Sequence, residues 1–191
     1  MKQWVADHYP GTGTAVTEYN WGALDHINGA LAQADVLGIL GREGLDVATL
    51  WGPPEASQPG AFAFRMFRNV DGTGSAFGET GVQASSADQG VLSVYAAQRT
   101  ADGALTVLVI NKSGTALTSQ MTLAGYAPSG AAQVWRYSAA NLAAIVREAD
   151  LPVGPSFSAT FPASSITLLV VPGAAARPPH RVARRLTRAG P

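Results

Sequence analysis

The chain has 191 residues, 47% hydrophobic and 14% charged, which excludes a polyampholyte too polar to collapse and leaves room for one large domain or two small ones. It holds no cysteine, so disulfide scaffolds, thiol nucleophiles and thiolate metal sites are excluded. The formal charge of zero hides five arginines from Arg177 onward with no acid beside them; the remaining eight bases face thirteen acids, and an acidic body argues against nucleic acid as a partner.

Met1-Lys-Gln-Trp-Val5 reads as the interior of a helix. The first 25 residues carry Asp7, His8, Pro10 and Glu18 and do not read as a signal peptide. No apolar run approaches the roughly 18 residues that cross a bilayer, so no membrane segment is expected. After the turn signal Pro10-Gly11-Thr12-Gly13, the β-branched run Thr14–Glu18 predicts a buried strand. Asp25 is the predicted N-cap of a helix with an apolar stripe of Ile27, Ala30, Leu31, Ala34, Leu37 and Gly38. Asn28, Gln33 and Asp35 are expected to face away. Gly29 and Gly38 each cost about 1 kcal/mol relative to Ala, so close packing of this helix on a sheet is expected to compensate. Gly41 and Gly44 end the helix, and Asp46–Trp51 predicts a second buried strand stopped by Gly52-Pro53-Pro54. A shorter helix follows from Ala61 to Asn69. Strand, helix, strand in this span predicts a βαβ unit with parallel strands. Two strands cannot bury themselves, so a larger parallel sheet is expected.

The patterning changes after Gly72. Gly72-Thr73-Gly74 through Gly78 lacks the Gly-Lys-Ser/Thr of a phosphate loop and reads as a flexible linker. Short β-rich segments follow near 91–99, 104–111, 118–124, 132–138, 156–161 and 165–171, separated by Gly, Pro, Ser, Asn or Asp. They predict an antiparallel β-sandwich. Residues 174–191 are Ala, Pro and Arg without apolar periodicity and read as a basic, disordered tail. The expected fold class is therefore α/β followed by all-β.

Glu18 stands out chemically. In a parallel sheet or barrel, ligands bind at the carboxyl ends of strands, and a carboxylate there is placed for chemistry. A structural Glu in a polar network is the competing reading, and burial without partners costs such a group several kcal/mol. Trp51 ends the second strand and should share that end of the sheet. An indole beside a carboxylate suits the C–H face of a sugar ring, although a core Trp capping the strands reads as readily. Trp21 is weaker evidence, and Trp4 and Trp135 are expected to serve packing. His8 and His26 show no metal spacing, and His26 reads as a capping or surface residue. Asn111-Lys112-Ser113 matches a glycosylation acceptor, a pattern common by chance.

The run TEYNWG, then DHINGALAQADVLGILGREGLDVATLW, then AFRMFRNVDGTGSAFGETGVQASS, resembles glycoside hydrolase family 44. VLSVYAAQRTADGALTVLVINKS and SSITLLVVP extend the resemblance, which covers roughly residues 2–172 in order. It implies a (β/α)8 TIM barrel with an attached β-sandwich, in secreted, retaining endo-acting enzymes on β-1,4-glucans such as cellulose derivatives and xyloglucan. On it, Glu18 matches the nucleophile, Trp51 a substrate-stacking aromatic, and Tyr19 and Asn20 flank the nucleophile and shape its site. Residues 1–72 then hold the last strands and helices of an incomplete barrel, and 73–173 the sandwich. The family's acid/base lies on an earlier strand, before this chain begins. A retaining glycosidase needs two carboxyls about 5–5.5 Å apart, so the chain is expected to be the inactive C-terminal part of a longer enzyme. Glu55, after Trp51, is a weak substitute for the missing acid. No cofactor is implied, and a structural calcium is left open. The alternatives are a carbohydrate-binding or accessory module without catalysis, and an interaction protein recruiting another chain through its open parallel edge.

Overall fold

The computed structural model describes residues 1–173. The predicted tail, 174–191, lies outside the described residues. In chain order the elements are α1 (Lys2–His8), β1 (Ala15–Tyr19), α2 (Ile27–Arg42), β2 (Val47–Leu50), α3 (Pro59–Arg68), β3 (Thr80–Val82), β4 (Leu92–Gln98), β5 (Leu105–Asn111), β6 (Leu117–Thr122), β7 (Ala132–Ser138), β8 (Asn141–Leu151), β9 (Ser156–Phe161) and β10 (Ser165–Val171). The protein is mostly β-sheet with few helices. Its sheets are open: β1 pairs with β2 in parallel, six strands run in the order β3-β4-β5-β10-β7-β8, and β6 pairs with β9.

The six-stranded sheet explains the most apolar segments. Every residue of β5 and β10 is buried, because both faces of these central strands are covered. On one face Leu108, Ile110, Ile166 and Leu168 meet Ala30, Leu31 and Ala34 of α2 and Phe62, Ala63 and Met66 of α3. On the other, Val107, Val109, Leu169 and Val171 meet Phe157, Ala159 and Phe161 of β9. Each central strand thus feeds two cores with alternate residues, which hides the period of two in its sequence. Phe62 stacks on Tyr137 at 4.7 Å between ring centres. Burial pushes the Tyr137 hydroxyl up to about 12.

The expected close approach of α2 is found. A Cβ on Gly38 would lie 2.4 Å from the Tyr95 ring of β4, and one on Gly29 would lie 1.9 Å from the Ala23 carbonyl oxygen. The N-cap is His26, not Asp25: Asn28 N donates to its Nδ1 at 3.2 Å. Two residues predicted to face away turn inward instead. Gln33 is buried, and Asp35 accepts from Tyr95 Oη at 2.7 Å and from Lys112 Nζ at 2.9 Å. Burial works to raise the Asp35 carboxyl, but hydrogen bonds from Ser93, Lys112 and Tyr95 outweigh it and hold the group below its ordinary value. Helix and sheet are therefore joined by an ion pair as well as by apolar contact.

Several expectations give way. β1 and β2 are not buried strands; most of their residues, Val47 among them, are exposed. Helix α1 buries no residue, and Trp4 is exposed rather than packed. Trp135 does pack, half-buried against the helix-side core, with the Arg147 guanidinium 5.5 Å from its ring centre. The glycine-rich linker is a fastened corner. Asp71 Oδ1 accepts from Thr73 N and Ser75 N, Phe77 N donates to Phe67 O, and Gly78 N donates to Thr106 Oγ1. Strands β3 and β8 were not predicted.

Candidate active site

The parallel register sets Tyr19 opposite Leu50, and Trp51 N donates to Tyr19 O at 2.8 Å, extending the ladder one step. Glu18, Asn20, Trp21 and Trp51 therefore gather at the carboxyl ends of two neighbouring parallel strands, where α/β folds place their chemistry. The pairing slips by one residue between Val16 and Tyr19, which leaves Thr17 and Glu18 both exposed before Tyr19 turns inward. Tyr19 is half-buried and accepts at its hydroxyl from Gln33 Nε2 of α2 at 2.9 Å. Glu18 is exposed, and among the described residues no group hydrogen-bonds its carboxylate. The desolvation cost expected for a buried glutamate does not arise.

Asn20 works on both strand ends at once. Its Nδ2 donates to Trp51 O at 2.9 Å, and its Oδ1 accepts from Gly22 N at 2.6 Å. Trp21 and Trp51, on either side of this clamp, are each 62% exposed. Of the four residues singled out, Glu18 and Trp51 stand open to solvent. Tyr19 and Asn20 direct their polar groups to protein partners.

Gln33 was missed by sequence reasoning. Among the described residues its Oε1 is buried without a partner, a state that costs about 1–3 kcal/mol. The available signal was its spacing of four from Gly29 and from Leu37, which puts it on the packed face of α2. Glu55 is exposed on the loop after Trp51, where its backbone N–H donates to Gln58 Oε1. His26 serves as a cap, as expected. Asn111 is buried, and its amide donates to Thr115 O, Phe161 O and Pro162 O, so it is closed to glycosylation. Among the described residues no group of three His, Asp or Glu could hold a metal ion, and no helix is long and apolar enough to cross a membrane.

No family model matches the chain. A solved bifunctional glucanase-xylanase protein from a metagenome library superposes with a TM-score of 0.87 and 48% identity, over 91% of this chain and 33% of that one. A Paenibacillus polymyxa xyloglucanase from glycoside hydrolase family 44 follows at TM-score 0.83 and 32% identity, over 90% of this chain and 34% of that one. The β-mannanase/endoglucanase A of Caldicellulosiruptor saccharolyticus is 37% identical over 113 residues, 59% of this chain and 8% of that protein. The chain thus spans about a third of the length of these solved relatives and a smaller share of the curated one.

Proposed function

From its kinship with glycoside hydrolase family 44, we propose that this chain is the C-terminal third of a retaining endo-β-1,4-glucanase acting on cellulose-type glucans or xyloglucan. In this reading residues 1–72 are the last strands and helices of a TIM barrel, and residues 73–173 are a β-sandwich built against it. The intact enzyme is secreted, and its barrel is completed by strands preceding this chain.

Glu18 is the nucleophile. Ionised and open to solvent, its carboxylate attacks the anomeric carbon of a bound glucan while a carboxylic acid from the missing portion protonates the leaving oxygen. The C–O bond to the leaving sugar breaks as the ester to Glu18 forms. Water then attacks the same carbon, gives its proton to the former acid, and frees Glu18. Trp51 offers its indole to a sugar face beside that carbon. Tyr19 and Asn20 shape the site by fixing the strand end and turn that follow Glu18. The chain alone lacks the acid and is inactive. The observation that carries this reading is the parallel register of β1 and β2, which sets an unshielded carboxylate and an exposed indole at one end of the sheet.

The test is reconstitution. The chain alone should release no reducing sugar from carboxymethylcellulose or xyloglucan. Fused behind the first two-thirds of the solved glucanase-xylanase, it should turn over, and Glu18→Gln should lower kcat roughly a thousandfold or more. Turnover by the isolated chain would overturn the need for a missing acid. Full activity of the fused Glu18→Gln protein would overturn the nucleophile.

A further inference from the structure

We propose that Trp21 forms a second sugar-stacking platform beside Trp51, held in place by Asn20 as a positioning residue. This rests on the glucan reading above and adds a binding site to it.

Trp21 leaves most of a large apolar ring in water, a state that cover by another apolar surface would relieve. A loose loop would let the ring fold back onto protein, but this loop is fastened along its length. Asn20 Oδ1 holds Gly22 N at 2.6 Å, and the next two residues, Gly22 and Ala23, take φ of 70° and 50°. The left-handed region is unfavourable for alanine, so the surrounding contacts must impose it. They are visible: His26 N donates to Ala23 O at 2.9 Å, Gly60 N donates to Leu24 O at 2.8 Å, and α2 approaches Ala23 through Gly29, where no side chain would fit. The Tyr19 ring, itself tied to Gln33, lies 6.5 Å from the Trp21 ring at a tilt of 43°.

One side chain therefore fixes the backbone that carries two aromatics. Asn20 orders the turn that carries Trp21 and grips the carbonyl of Trp51. An exposed ring held in advance loses little freedom when a ligand covers it. The ligand class is a β-1,4-linked glucan, whose flat pyranose rings present C–H faces to stack on an indole. Trp51 takes one sugar unit and Trp21 another along the same chain, with Glu18 two residues before Asn20.

The experiment follows the indole N–H signals of the full 191-residue chain during titration with cellohexaose, with Trp21→Ala and Trp51→Ala identifying the peaks. The Trp21 and Trp51 signals should move on one common saturation curve. Trp21→Ala should weaken binding about fivefold to tenfold. Movement of Trp51 alone would overturn the second platform and leave the glucan site standing; no movement of either would overturn both. Asn20→Ala should abolish the Trp21 response while the thermal transition persists. Asn20→Asp, which keeps the acceptor for Gly22, should restore part of it. An unchanged Trp21 response in Asn20→Ala would overturn the positioning role. Should that variant not fold, amide exchange at Gly22 in the unmodified chain decides: slowed exchange supports the clamp, and exchange at the rate of a free peptide refutes it.

Discussion

The six-stranded antiparallel sheet and the two-stranded parallel sheet obey the same rules with opposite outcomes. In the first, β5 and β10 are wholly buried because helices cover one face and the β6–β9 pair covers the other. In the second, β1 and β2 carry similarly apolar residues, yet Val47 is 54% exposed. The residues with chemical character gather in the second region. A carboxylate and two indoles are cheap to hold at a rim that remains wet, and they would be costly inside the covered sheet.

The contrast can be broken first by substitution in the covered core. Leu108→Ala should cost about 3–4 kcal/mol in urea unfolding, since Leu108 is fully buried under the helices. A loss below about 1 kcal/mol would mean that the helix layer does not close on the sheet. The next largest effect concerns the ion pair beneath α2. Asp35→Asn should cost about 2 kcal/mol at neutral pH by removing the charge opposite Lys112 and one of the two oxygens that accept from Lys112 and Tyr95. The carboxyl is held below 3.8 in the folded state, so its contribution is complete above that value. It fades as the pH falls through the folded-state value, and there the stabilities of Asp35→Asn and the unmodified chain should converge. Parallel pH curves would refute the pairing.

Glycine substitutions in α2 sharpen the contrast within one helix. Gly38→Ala drives a methyl into the Tyr95 ring and should cost about 1–2 kcal/mol. Gly41→Ala meets nothing within 4 Å and should gain up to about 1 kcal/mol from helix propensity. Thermal unfolding separates the two by sign. The smallest effect is expected on the open sheet, where Val47→Ala should change stability by less than about 0.5 kcal/mol. A large loss there would mean that this face is covered in solution.

Much of this was legible in the sequence where pattern and environment agree. The β-branched runs before Glu18 and Trp51, with an amphipathic helix between them, announced the parallel pair and hence the shared end of Glu18 and Trp51. The glycines at 29 and 38 announced close packing. β8 was not legible: Asn141–Leu151 mixes Ala, Leu, Arg and Glu with no alternation, and as an edge strand it buries too little to need one. Gln33 escaped because a polar residue was assigned to water, whereas its amide is used internally on Tyr19. From the resemblance Asn20 reads as a residue that flanks the nucleophile and shapes its site. Its role as a clamp depends on the Trp51 carbonyl, 31 residues away, which no local pattern reveals.

Trapping the glycosyl-enzyme is the decisive measurement. The chain, fused behind the N-terminal two-thirds of the solved glucanase-xylanase, is incubated with a 2-deoxy-2-fluoro cellotriosyl donor, and the labelled peptide is mapped by mass spectrometry. The label should sit on Glu18 and disappear in Glu18→Gln. An active fused protein that carries the label on any other carboxylate would contradict the assignment of Glu18 as nucleophile.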